Sequence, residues 1–233
     1  MSDFEKSIFR AIDLADSLEI LFQAGSSSSL NVSNEVKTMT RSSARYQEIY
    51  DAIVSKQHFN LMLNDRSIFQ FSQKTQLQNC RLVFYPNPYQ FAEYKSYHSE
   101  VISLYNEQSG FTQDEVEQLL AECDFTSEIP IIRYDLSMQQ HCEMYHPAAH
   151  FHIGLHSENR WPVNRALTPF AFFLKILMHY YPDIWKKSAD ATNPTKNELD
   201  IHYRKELKEN CPKISIYSPK HFSNLELERL HFS

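Results

Sequence analysis

Glycine is scarce in this chain, with only 3 among 233 residues. A glycine-built phosphate cradle, whether a dinucleotide-binding fingerprint or a P-loop, needs several glycines at fixed offsets, so neither is expected. Cysteines are few and scattered: Cys80, Cys123, Cys142 and Cys211 form no C-x-x-C pair. They read as reduced thiols of a cytoplasmic protein. No apolar run reaches transmembrane length and no apolar signal region follows Met1, so no membrane is expected. Positive charge is not in excess either. The net charge is −6 and the pI about 6.0, which excludes a chain-wide electrostatic footprint for nucleic acid but leaves room for a local patch or a partner that supplies the charge.

What is present is aromatic: 16 Phe and 13 Tyr, enough for a sizeable core. Ser2 with Glu5, followed by the stripe Phe4, Ile8, Ala11, Ala15, Leu18 and Phe22, predicts a capped N-terminal helix within residues 1–24. Gly25 and the run "SSSS" open a flexible linker over 25–42. From 43 to 233 the pattern predicts an α+β domain. A helix is expected from Ser43 to Lys56, then a hairpin through Phe59 and Phe71 turning at Asn64-Asp65-Arg66. "CRLVFYPNPY" gives a further strand that the prolines end. A capped helix from Thr112 to Ala121, strands at "IPIIRYDL" and "AHFHIGL", and a buried helix started by Thr168-Pro169 and ended by Pro182 follow. A polar helix from Asn197 to Glu209 and a short "KISIY" strand complete the expected fold, a central, mainly antiparallel sheet with helices packed against it.

The chemistry concentrates in the motif at 146–162, "HPAAHFHIGLHSENRWP". Read with a period of two, His150, His152, Gly154 and His156 face one way, and Phe151, Ile153 and Leu155 face the core. On the preceding strand Arg133 and Asp135 share the face opposite Ile132, Tyr134 and Leu136. If the two strands pair with their apolar faces on one core, Arg133, Asp135, His150 and His152 lie together. An Asp beside an imidazole fixes its tautomer and raises its basicity. Two His at i and i+2 plus an Asp can also supply three ligands to a divalent metal with an open position. Metal and acid–base chemistry are not separable at this level, and histidine and arginine are also common on the plain solvent face of an antiparallel sheet. His146 supplies a third imidazole at the entry turn, and Arg160 and Arg165, flanking "WPV", extend a phosphate-binding surface. Gly154 inside a strand marks either a bulge, the favoured reading, or close approach by another backbone or a ligand.

The succession "SIFQFSQ", "RLVFYPNP", "IIRYD", "HPAAHFHIG", "RWPV" and "LTPFAFFLKILMHYYPDIW" resembles a bacterial domain-of-unknown-function family encoded beside a helicase in two-component anti-phage defence systems. The likeness covers Ser67 to Trp185 and is most specific between His146 and Pro169. It implies a setting and a helicase partner rather than a reaction, and it carries onto Arg133, Asp135, His146, Pro147, His150, Gly154, Arg160 and Pro162. In the family the position of His152 accepts other polar residues, which favours His146 with His150 as the working pair.

Three functions follow as expectations. The first is an effector that cuts nucleic acid delivered by the helicase, with Asp135, His146, His150 and Arg133 catalytic and Arg160, Arg165 and His152 on the substrate. The second is a non-catalytic adaptor that docks on the helicase through aromatic anchors. The third, an enzyme acting on free nucleotides, lacks any base-reading or phosphate-cradling motif.

Overall fold

The computed structural model describes residues 1–30, 46–89, 130–154, 158–193 and 196–229, with four isolated positions between 103 and 116. Helix α1 (Asp3–Ser17) starts as expected: the Ser2 side chain accepts from the Glu5 N–H and the Glu5 carboxylate accepts from the Ser2 N–H. It does not run to residue 24. Glu19 takes a left-handed φ of 57°, and Ile20 N–H to Ala15 O and Glu19 N–H to Asp16 O close the helix as a Schellman turn. The chain then forms strand β1 (Leu21–Ala24). Phe22, placed on the helical stripe by its spacing, instead lies exposed on β1 under the Arg66 guanidinium.

Residues 25–30 are pinned to the sheet, not loose. Gly25 N–H bonds Asn60 O, Leu30 N–H bonds Phe71 O, and Asn60 Nδ2 donates to Ser26 O. A Cβ on Gly25 would sit 2.1 Å from Phe59 O, so only glycine allows this approach. The rest of the expected linker, and the expected helix from Thr112 to Ala121 apart from its Thr112–Glu115 capping bonds, lie outside the described residues.

Helix α2 (Tyr46–Ser55) precedes a hairpin of β2 (Leu61–Leu63) and β3 (Ile68–Thr75), whose turn is closed by Leu63 N–H to Ser67 O at 2.8 Å. Strands β4 (Asn79–Tyr85), β5 (Ile132–Ser137), β6 (Ala149–Ile153) and the two-residue β7 (Trp161–Pro162) complete a seven-stranded sheet. The strands lie in chain order and every neighbouring pair is antiparallel. Helix α3 (Pro169–Tyr180) is capped by Thr168 and, as its apolar circumference requires, buried. Pro182 both stops α3 and serves as the first residue of α4 (Pro182–Lys187). The polar helix α5 (Glu198–Glu209) is capped by Asn197. "KISIY" is not a strand. Ile214–Tyr217 form a helical turn, α6, between Pro212 and Pro219, held by Ser215 N–H to Asn164 Oδ1; a two-residue alternation is too short a signal to choose a strand. A short helix α7 (Asn224–Arg229) ends the described chain.

The sheet has two unlike faces. On one, Leu63, Phe69, Phe71, Leu82, Phe84, Tyr134 and Leu136 pack against α1, α3 and α5. Phe69 sits 5.2 Å from Phe173 and 5.0 Å from Phe84, ring to ring, and burial of each such ring contributes about 1.5–3 kcal/mol. Tyr134 is fully buried yet satisfied: its hydroxyl donates to Arg165 O and accepts from Leu167 N–H. On the other face α2 covers Met62, Ile68, Val83 and Tyr85. Beyond that apolar patch, the same face of β4, β5 and β6 carries charge.

A candidate Asp–His–Arg centre on the sheet

Strand register decides whether the expected site exists. β5 and β6 pair directly, with Asp135 opposite His150 and Arg133 opposite His152. On the other side of β5, Arg81 of β4 stands opposite Asp135. One row across the sheet therefore reads Arg81, Asp135, His150, Pro162, and the next reads Val83, Arg133, His152.

Asp135 is the hub. Arg81 Nε donates to its Oδ1 and Arg133 Nε to its Oδ2, each at 2.9 Å. Burial alone would raise the Asp135 carboxyl, but the charges of Arg81 and Arg133 outweigh it and hold the group below the usual carboxylate range. His152 Nε2 lies 3.6 Å from Asp135 Oδ2, and His150 Nε2 lies 3.0 Å from His152 Nε2. His150 Nδ1 meets Pro147 O at 2.9 Å. A carbonyl only accepts, so Nδ1 carries the proton and, in the neutral ring, Nε2 is the accepting nitrogen, facing His152 Nε2. Burial lowers His150 to about 4, which keeps it neutral near pH 7.

The histidine face is thus interior, not a solvated surface: His150 is 1% exposed and His152 4%. Exposure rises across the cluster, through 15% for the Asp135 side chain and 29% for Arg133 to 44% for Arg81. The apolar alternates fare differently from expectation. Phe151 is half-buried against the core, while Ile153 is exposed. Gly154 is not a bulge; with φ 100° it turns the chain out of β6, its N–H bonded to Ile131 O. Leu155 and His156 lie outside the described residues.

His146 stands beside the centre, its ring edge-on to His150 at 4.8 Å. Its buried Nδ1 has no hydrogen-bond partner. Burial, and then the charge of nearby Arg160, lower its pKa. The geometry reverses the pairing favoured by the resemblance, since His150 and His152 converge and His146 flanks them. Arg160 is exposed and donates to Glu158 O. Arg165 is not at the site. Its guanidinium donates to Leu207 O and Cys211 O at the end of α5, on the helical side of the sheet, where it lines a groove of about 490 Å³ with Arg204, Lys208 and Lys213. Cys142 is exposed and adjacent His141 turns its Nε2 to Glu226 at 3.2 Å, so no Cys–His pair forms there.

Arg81 is the residue that sequence reasoning missed. The available signal was its position as the one charged residue within "NCRLVFY", on the face opposite Cys80 and Leu82; what the sequence does not display is that β4, some fifty residues upstream of β5, is its neighbour.

Among the described residues no helix is long and apolar enough to cross a membrane. No curated protein and no solved structure matches the chain. A family model matches residues 14–233, taking in the whole sheet, the centre and the helices α3 and α5 but only the end of α1: the chain belongs to the family described as uncharacterized conserved protein (DUF2290).

Proposed function

We propose that this chain is a nucleic-acid-directed effector that cleaves phosphodiester bonds at the Asp135 centre and acts with a helicase in anti-phage defence. The observation that carries the reading is Asp135 opposite His150 with Arg81 and Arg133 both fixed on its carboxylate. Phosphodiester cleavage needs a group that takes a proton from the attacking oxygen and cations that neutralise charge building on the phosphorus oxygens. His150 offers a neutral lone pair, and Arg81, the most exposed member, offers a guanidinium that a strand can reach. His146, whose ring stands edge-on to His150 and whose buried Nδ1 lacks a hydrogen-bond partner, adds a third imidazole beside the centre. Arg160 extends the cationic edge. The helicase and the defence setting rest on the resemblance of the motif between His146 and Pro169; a helicase delivering the strand would also offset the net charge of −6.

The test is cleavage of labelled single- and double-stranded DNA and RNA, with and without divalent metal and helicase, by wild type, His150→Ala and Arg81→Met. Loss of cleavage and of phage protection in both variants, with helicase binding retained, supports the reading. Absence of cleavage by the wild type in every lane overturns it. Arg81→Met keeps the test decisive should His150→Ala not fold, because Arg81 is half-exposed.

The burial of His150 and His152 favours a second reading, an adaptor whose polar cluster is an internal network. Protection that survives every folded substitution in the cluster, with a stable helicase complex, would select it.

A further inference from the structure

We infer that His150 Nε2, His152 Nε2 and an Asp135 oxygen form a binding site for a single zinc-class divalent ion. The three donor atoms lie within 4.8 Å of one another. Ligands held about 2.0–2.1 Å from a tetrahedral zinc stand about 3.3 Å apart. Two of the three edges, 3.0 Å between the two Nε2 atoms and 3.6 Å from His152 Nε2 to Asp135 Oδ2, bracket that value, and the third, from His150 to Asp135, is within 4.8 Å and closes by a small side-chain shift when the ion enters.

The surroundings prepare the donors. Metal-bound histidines characteristically donate their other N–H to a carbonyl or carboxylate, which fixes the ring and leaves the ligating nitrogen bare. His150 does this through Nδ1 and Pro147 O. The carboxylate of Asp135 accepts one bond per oxygen from the two arginines, so each oxygen retains a lone pair for a metal. The arginines fix the carboxylate's orientation as they would in an outer shell.

The charge and donor set select the ion. Two arginines beside one carboxylate leave the cluster without the surplus of negative charge and the oxygen donors that magnesium or calcium require. Two imidazoles and one carboxylate suit zinc and its first-row neighbours, and three protein ligands leave an open position. A proton shared between the two Nε2 atoms is the competing occupant; it would join the two histidines and leave Asp135 Oδ2 in a 3.6 Å charge contact with His152, longer than a hydrogen bond, where a metal would draw all three donors in. This inference stands on the donor geometry and goes beyond the cleavage reading: a metal on His150 Nε2 would take up the lone pair that the cleavage reading assigns to proton abstraction, so that role of His150 belongs to the metal-free chain.

The experiment uses the full chain stripped with a chelator and loaded with Zn²⁺ or Co²⁺. Titration calorimetry is expected to give one site, with affinity falling at least 100-fold in His150→Ala and in His152→Ala. Co²⁺ is expected to give the intense visible bands of a four- or five-coordinate site. On the wild type alone, ¹⁵N spectra of labelled histidines read the ligands without any variant: Zn²⁺ should move His150 and His152 Nε2 and leave His141 and His221 in place. No binding, or binding that moves other histidines and not these, overturns the inference. Cleavage is scored separately, so a chain that binds metal but cuts nothing, or cuts equally after stripping, separates failure of one reading from failure of the other.

Discussion

Acid sensitivity centred on His150 can be worked from the structure. Burial lowers this imidazole from 6.5 to about 4 in the folded chain. Between those values the unfolded chain binds a proton at His150 and the folded chain does not, so stability is lost as pH falls through this window. At about 1.4 kcal/mol per pH unit, the interval amounts to about 3 kcal/mol. Asp135 acts in a different window. Its carboxyl is held low, so its contribution is intact above the ordinary carboxylate pKa and disappears only as pH falls below it. His146, His179 and His221 are also lowered, chiefly by burial, and slope the same way as His150. Subtraction of a variant isolates the one residue. The assay is urea unfolding of wild type and His150→Gln in chelator from pH 7.5 to 4.5. The stability advantage of the wild type should shrink by about 2–3 kcal/mol across that range. Parallel curves would refute the reasoning, because they would mean that His150 takes up its proton equally in both states.

Other consequences are open to similar measurement. Tyr134→Phe removes a hydroxyl that bonds both Arg165 O and Leu167 N–H inside the core, and should cost about 2–3 kcal/mol in urea unfolding with the far-UV spectrum unchanged. Arg165→Met and Arg81→Met should part company. The former frees the carbonyls of Leu207 and Cys211 and lowers the melting temperature without touching cleavage. The latter takes one of two cations from the mostly buried Asp135 carboxylate while Arg133 stays in place, so it costs about 1–2 kcal/mol and abolishes cleavage.

The period-two pattern of "IIRYDL" and "AHFHI" was enough to place Arg133, Asp135, His150 and His152 on one face, because alternation in a strand is local geometry. Their convergence required the partner register, which no short-range feature encodes; Arg81 was invisible for the same reason. Burial also escaped. Charge on a strand reads as solvent-facing, but paired arginines and a fixed tautomer let imidazoles sit inside. The end of α1 was misread because the left-handed position carries Glu19, where glycine would have announced it. The α3 start, with Thr168 and Pro169, was fully legible, since a cap is a contact between near neighbours in sequence.

The order of the strands has a consequence for synthesis on the ribosome. The seven strands are complete by Pro162, yet the helices that cover their Phe-rich face lie mainly after it, in Pro169–Tyr180 and Glu198–Glu209. Even α1, made first, depends on them: Ser7 Oγ accepts from Phe170 N–H, and Arg10 pairs with the buried Glu206. A nascent chain stalled after β7 therefore holds Phe69, Phe71, Phe84 and Tyr134 without a cover, and such a face invites aggregation. Productive folding awaits the last third of translation, and premature termination anywhere before α5 leaves a polypeptide for the proteases rather than a smaller version of the protein.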